Sequence, residues 1–199
     1  MDVVEALTGR RSQHRLGEPT PDDRELARLV QIAAAAPDHG QLRPWRLVIQ
    51  RGATRVGLGR ALATDSDRPE TALGKPLRAP LLVAIIFCPA GGTRIPEWEQ
   101  LAATAAVVFS LSLVLHAHGW GSIWRTGNGV NSTAVRRFMS LAQNERLLGW
   151  LYIGTPEPGH APAPRTPVDL AEKLSGGTQD LANPIAEPVA GWEPARCTG

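Results

Sequence analysis

The sequence predicts a mixed helix-and-strand domain followed by a shorter proline-rich extension. Three features predict it: an amphipathic helical repeat near the N-terminus, a continuous apolar run with β-branched members followed later by a second strand-like apolar stretch, and a change of composition near Thr155. Apolar residues every three or four positions mark a helix with one face on a core, and a continuous apolar run of strand length marks a strand buried on both faces.

Taken in order, Asp2 to Gly9 reads as a short helix stopped by glycine. Thr20 offers an N-cap, Pro21 suits the first helical position, and Leu26, Leu29, Val30 and Ala33 follow at helical spacing, which predicts a helix over Asp22 to Ala36 ended by Pro37. "WRLVIQ" (Trp45 to Gln50) reads as a strand and Thr54 to Ala63 as a helix, despite Gly57 and Gly59. "PLLVAIIFC" (Pro80 to Cys88) is a continuous apolar run with β-branched members, and "LLGWLYIG" (Leu147 to Gly154) reads as another buried strand. Between them lie a long helix over Pro96 to His118, a short strand "SIW", and a helix capped by Asn131 or Ser132 and running to about Leu141. Eight of the 17 prolines fall in the last 45 residues, so this part is not regular core. It reads as a disordered tail or, given Leu170, Leu174, Ile185, Val189 and Trp192 to bury, as an arm that packs across a partner chain, which those apolar residues favour.

The composition narrows the function classes. Basic and acidic residues number 21 and 19, and no lysine–arginine block occurs, which argues against nucleic acid. Cys88 and Cys197 form neither a metal spacing nor a disulfide framework, and the N-terminus lacks a signal-peptide pattern, so a reducing cytoplasm is expected. Leu101 to His118 is 18 residues without formal charge, at the edge of a membrane span. Thr104, Ser110, Ser112 and His116 inside it favour a helix buried in a fold or a dimer interface.

Hydrolase and nucleotide-loop motifs are missing: GxSxG, the Walker loop and HExxH do not occur, and "GLGRA" lacks the strand and helix context of a dinucleotide fingerprint. His116 and His118 are two apart on a helix and point to different faces, which is poor metal geometry. What remains suits a bulky, planar anion. "GRRSQHR" places Arg10, Arg11, Ser12, His14 and Arg15 just past a helix end, where guanidinium and hydroxyl groups can hold a phosphate. "WRTGNG" adds Arg125 with glycines that let a ligand approach the backbone, and "KPLRAP" places Lys75 and Arg78 before a buried strand. "APDHGQLRPWR" (Ala36 to Arg46) carries more polar groups than a turn requires. An Asp38-His39 or a Trp98-Glu99 pair could serve proton transfer, and each is also an ordinary loop or helix-cap sequence.

"RRS", "APDHGQLRPW", "RAPLLVAII", "PEWEQ", "GWGSIWRTG" and "GWLYIGTP" follow one another in an order and spacing that resembles the FMN-dependent nitroreductase family, and within it the short bacterial YdjA-type branch. The resemblance covers about residues 2 to 157. It implies an α+β sandwich, a mainly antiparallel central sheet flanked by helices, in a homodimer with a long buried interface helix and a C-terminal arm. It divides the chain into a flavin-binding domain, 1–157, and an extension, 158–199, packed on the dimer.

Carried over position by position, the resemblance implies that Arg10 and Ser12, with Arg11 between them, contact the FMN phosphate and ring. Asp38 and His39 match a loop that reaches the partner subunit's flavin. Trp124, Arg125 and Thr126 match the segment running along the ring, and Lys75 matches a lysine near its pyrimidine edge. Two positions depart from the family: Ala35 replaces an arginine contact of the YdjA-type pattern, and Arg43 stands where many members have glutamine, where it can supply the missing charge. The implied activity passes hydride from NADH or NADPH through FMN to nitroaromatics, quinones or similar small electron-poor acceptors, with no metal, nucleic acid or membrane. No side chain is required as a nucleophile; His39 is a candidate proton donor. Enoate reduction, dehalogenation, flavin fragmentation, or a non-catalytic flavin- or ligand-binding dimer are the alternatives.

Overall fold

The computed structural model describes residues 1–159, 166–168, 170 and 173. The chain divides into two units, Met1–Pro162 and Ala163–Gly199, and every helix and strand named below belongs to the first. The expected C-terminal arm lies almost wholly outside the described residues.

Among the described residues of this unit are six α-helices and five strands: α1 (Val3–Gly9), β1 (Leu16–Gly17), α2 (Asp23–Ala33), β2 (Trp45–Gln50), α3 (Gly52–Thr64), α4 (Pro69–Gly74), β3 (Leu81–Phe87), α5 (Glu97–Ala117), β4 (Gly121–Arg125), α6 (Thr133–Phe138) and β5 (Arg146–Pro156). All named strand pairs are antiparallel, so the sheet is the one the resemblance implies. β5 is its centre: β3 pairs along one edge with β2 beyond it, while β4 and the short β1 share the other edge. Ser12 extends that second edge by a parallel bridge to Ser122 of β4.

The period of two along the strands sorts the core into two layers. Leu81, Val83 and Ile85 of β3, with Leu151 and Ile153 of β5, face α2 and α5. Leu82, Ala84 and Ile86, with Trp150 and Tyr152, face Leu58 and Leu62 of α3 and Val135 of α6. Every residue of β3 is buried, the state its unbroken apolar run requires.

Two boundaries differ from the sequence expectation. The cap of α2 is Asp22, whose carboxylate accepts the Glu25 N–H at 2.7 Å; Thr20 instead accepts a hydrogen bond from the Arg51 guanidinium. The helix ends at Ala33 because Ala34 to Ala36 close as turns ahead of Pro37. In the last helix, Ser132 is the cap, and α6 stops at Phe138, short of Leu141.

α5 is, among the described residues, the one helix long and apolar enough to cross a membrane. It is built as a core helix. Gln100, Thr104 and Ser112 are buried, and each hydrogen-bonds a backbone group: Gln100 the 90–95 loop, Thr104 the Pro44 carbonyl, Ser112 the Val108 carbonyl. Its other face leaves Trp98 and Phe109 exposed.

Candidate functional site

The residues singled out from sequence fall into three places. The first is the edge beside β4. α1 ends at Gly9, and Arg10 leaves it in extended conformation (φ −58°, ψ 128°). The Ser12–Ser122 bridge then fixes the segment alongside β4. Arg10 and Arg11 line a cavity of about 280 Å3 with His116 and Trp120 from the end of α5 and its turn. The Arg11 guanidinium is turned back onto the Thr8 and Arg10 carbonyls, which closes the C-terminus of α1. Burial, then the charges of Arg10 and Arg11, push the His116 pKa down, so the group that shares this cavity favours its neutral form.

The second place adjoins it. Arg125 reaches back to His14 (Nη2 to Nδ1, 3.4 Å) and stacks over the Tyr152 ring with its guanidinium carbon 5.4 Å from the centroid. Arg125 lines a cavity of about 330 Å3 with Lys75, Arg78, Trp124, Thr126, Trp150 and Tyr152, and among the described residues no carboxylate takes part. Burial pushes the Tyr152 phenol up, so it stays a neutral donor there. Lys75, Trp124, Arg125 and Thr126, separated by about fifty residues in sequence, are thus brought to one wall. The Nε of Arg125 and the Nε1 of Trp150 are buried with no hydrogen-bond partner in the described residues. A buried donor left unpaired costs ~1–3 kcal/mol, which marks this wall as one whose donors are not satisfied within the described residues.

A sheet irregularity sets the aromatic wall. The β3–β5 register slips between Ile85 and Ile86, so Leu148 is passed over, and its carbonyl accepts the Trp124 indole N–H at 3.1 Å. Gly149 beside it has φ +122°, and a Cβ there would lie 2.3 Å from the Arg125 carbonyl oxygen. Glycine is therefore required for β4 to close on β5 at this point.

The third place is the loop between α2 and β2. Asp38 takes two backbone N–H groups, Leu42 at 3.2 Å and Arg43 at 2.7 Å. Gly40, Gln41 and Arg43 all have positive φ (71°, 51° and 48°), a strained run in which each non-glycine member costs of order ~1–3 kcal/mol. The Asp38 bonds and the packing of Gly40 on Ile95, where a Cβ would lie 2.8 Å from Cδ1, hold it in shape. His39 Nδ1 meets the Glu99 carboxylate at 2.8 Å, with Oε2 as the acceptor, at the first turn of α5. The Arg43 side chain is exposed.

This loop and the edge lie apart. Glu99 stands at one end of α5 and His116 at the other, about 25 Å away at 1.5 Å of rise per residue. Asp38, His39 and Arg43 line neither of the two cavities above. Sequence reasoning missed the Glu99 partnership and the place of Trp150 and Tyr152. The Glu99 signal lay in "PEWEQ", and the two β5 aromatics were legible only as strand core.

The sequence profile of the nitroreductase family matches residues 7–155, which takes in the edge, the loop and the cationic cavity. The chain belongs to the nitroreductase family. Among named relatives of this family, the Escherichia coli (strain K12) protein called "Putative NAD(P)H nitroreductase YdjA" is 30% identical over 164 residues, 79% of this chain and 90% of that protein. A Haemophilus influenzae protein of similar name is 29% identical over 163 residues, 78% of this chain and 89% of that one. Solved nitroreductase folds superpose on most of the chain. A nitroreductase-like family protein from Bacillus cereus gives a TM-score of 0.78 at 22% identity, covering 90% of this chain and 97% of its own. The FMN and NADPH-dependent nitroreductase NfnB of sphigopyxis sp. strain HMH gives 0.70 at 22% identity, covering 89% and 99%. Membership makes the chain a general flavin oxidoreductase.

Proposed function

We propose that the protein is an FMN-dependent oxidoreductase that passes electrons from NADH or NADPH to nitroaromatic, quinone or similar electron-poor acceptors, and that it works as a cytoplasmic homodimer. When bound, the flavin supplies the chemistry: it takes hydride equivalents from the nicotinamide and gives them to the acceptor.

The residues fit that cofactor. Arg10 leaves α1 toward β4, Ser12 is bridged to Ser122, and Arg125 reaches His14, so phosphate-binding groups and the β4 segment stand side by side. Arg10 and Ser12 would hold the phosphate. Trp124 to Thr126 would lie along the ring, with Trp124 fixed by the Leu148 carbonyl. Lys75, Arg78 and Arg125 would face the ring's carbonyl edge, where reduction places negative charge; the unpartnered Arg125 and Trp150 N–H groups suit acceptors on that edge.

The observation that carries the dimer is the 25 Å or so between the loop and the edge along α5. One chain keeps them apart. Two copies related by a twofold axis, with their α5 helices antiparallel, would bring the Glu99 end of one beside the His116 end of the other. Asp38, His39 and Arg43 of one subunit then meet the flavin of its neighbour, and the exposed Trp98 and Phe109 face of α5 is covered.

The visible spectrum of the purified protein with added FMN, followed by NADH or NADPH oxidation with and without a quinone, tests the reading. Uptake of one flavin per chain and acceptor-dependent oxidation are expected. A protein that takes up no FMN refutes the flavin reading. One that binds FMN yet leaves both nicotinamides unoxidised refutes the reductase reading alone.

A further inference from the structure

We infer that Glu99 is a positioning residue for His39, holding the imidazole with Nδ1 inward and presenting Nε2 to a reacting acceptor in the site of the neighbouring subunit. The inference deepens the reading above and rests on it for the destination of Nε2.

His39 stands next to Asp38 in sequence, yet Asp38 is spent on the Leu42 and Arg43 N–H groups of its own loop. The carboxylate that meets His39 comes from sixty residues away, Glu99, at 2.8 Å. Glu99 lies in the first turn of α5, where the helix N-terminus interacts favourably with a carboxylate.

α5 and the turn before it grip the loop at two further points. Ile95 packs on Gly40, and Thr104 donates to the Pro44 carbonyl at 3.2 Å. The strained backbone of Gly40, Gln41 and Arg43 is therefore fixed against the same helix that orients the ring. Despite this hold, 70% of the His39 side chain is exposed, whereas 30% of that of Glu99 is. A side chain held so firmly by its backbone and by one ring nitrogen, yet left open at the other, is arranged for something outside its own chain.

Chemically, a carboxylate at Nδ1 selects which nitrogen keeps the proton. The neutral ring held by Glu99 is the Nδ1–H tautomer, with the lone pair on Nε2. In the imidazolium both nitrogens carry protons. When the Nε2 proton passes to an acceptor oxygen, the N–H bond breaks and an O–H bond forms. The ring is left in the tautomer Glu99 already holds, so no further proton movement or ring flip is needed. The electrons for the acceptor come from NAD(P)H through the flavin.

Two measurements test this on the full chain. Long-range proton–nitrogen NMR, with His39 assigned by the loss of its signals in His39→Gln, reads the tautomer at alkaline pH, where imidazoles are neutral. Wild type should show Nδ1–H, and Glu99→Ala should relax toward the Nε2–H form that free histidine prefers. In steady-state turnover with FMN, Glu99→Ala should lower kcat about tenfold, less than the ~10²–10⁴ a whole general acid contributes, with the KM for NAD(P)H unchanged. The pair is partly exposed, so the variant keeps its fold. An Nε2–H tautomer in wild type, an unchanged tautomer in Glu99→Ala, or an unchanged kcat in an FMN-loaded variant each overturns the inference while leaving the flavin reading intact. Failure of the wild-type chain to take up FMN overturns the flavin reading and with it the destination of Nε2.

Discussion

Replacing Arg10 with alanine should weaken FMN binding while leaving riboflavin binding nearly unchanged, because only FMN carries the phosphate that Arg10 would hold. Arg10 is half-buried at the end of α1, so its charge is incompletely screened by solvent. The neighbouring Arg11 is committed to the Thr8 and Arg10 carbonyls and is poorly placed to substitute for it. The loss should therefore be that of a hydrogen bond to a charged group, ~1.5–3 kcal/mol or about ten- to a hundredfold. His116 complicates the measurement in a useful way. Its pKa is lowered by burial, then by Arg10 and Arg11, so removing Arg10 lifts one cause and raises it. At about pH 8 His116 is neutral in both proteins and the full deficit should appear. Toward acid pH the variant gains a cation in the same cavity, and its deficit should shrink. The assay is quenching of flavin fluorescence in titrations with both flavins, at fixed ionic strength because a partly exposed contact is salt-sensitive. Equal losses for FMN and riboflavin would refute the phosphate assignment and make Arg10 a support of the fold or the ring. No loss for either would make "RRS" an ordinary solvated turn.

Three further outcomes are expected. Arg46 holds the Glu145 carboxyl down to about 2 through paired hydrogen bonds of 2.7 Å, so Glu145→Gln should destabilise the protein at neutral pH by ~1.5 kcal/mol. Because the folded pKa is depressed, that contribution is complete above the ordinary 4.5 and lost as pH falls toward about 2, and the two melting temperatures should converge over that window; a gap that persists through it would deny the linkage. Gly59→Ala would improve helix propensity in α3, but its Cβ would sit 2.6 Å from the Leu73 carbonyl oxygen. Overpacking of ~1–3 kcal/mol should exceed the ~1 kcal/mol propensity gain, and a raised melting temperature would show that α4 yields instead. Phe109→Glu places a charge on the exposed face of α5 and should give a folded monomer in sedimentation; an undisturbed dimer would move the interface elsewhere.

Legibility in the sequence follows the locality of the physics. β3 and β5 are visible because burial on both faces leaves an unbroken apolar run, and α2 because its apolar spacing is strong. β1 escapes notice because a strand of two residues is defined by its partners, Pro156 and Thr155, and carries no pattern of its own. Asp22 takes the cap from Thr20 because the Arg51 side chain claims the threonine hydroxyl from thirty-one residues away. In the site, the resemblance groups Lys75, Trp124, Arg125 and Thr126 with the flavin motifs of the family, and the structure brings these four to one cavity. Tyr152 and Trp150 are hidden there, since alternate residues of a doubly buried strand look alike until one face is found to open onto a cavity. Glu99 stands out beside Trp98 and His39 beside Asp38, but nothing local says that the two distant members pair with each other.

The two ends of α5 also bear on inheritance. On the proposed dimer, each site takes its cationic edge from one polypeptide and its Asp38–His39 loop from the other. An allele damaged at Arg10 and an allele damaged at His39 would each encode an inactive homodimer. When both are expressed in one cell, the mixed dimer gathers both lesions into a single site and leaves its second site with neither. Two null alleles would then restore activity to each other, whereas two alleles damaged on the same end of the helix would not. Such a cross would assign a damaging site lesion to the edge or to the loop from growth or colour alone.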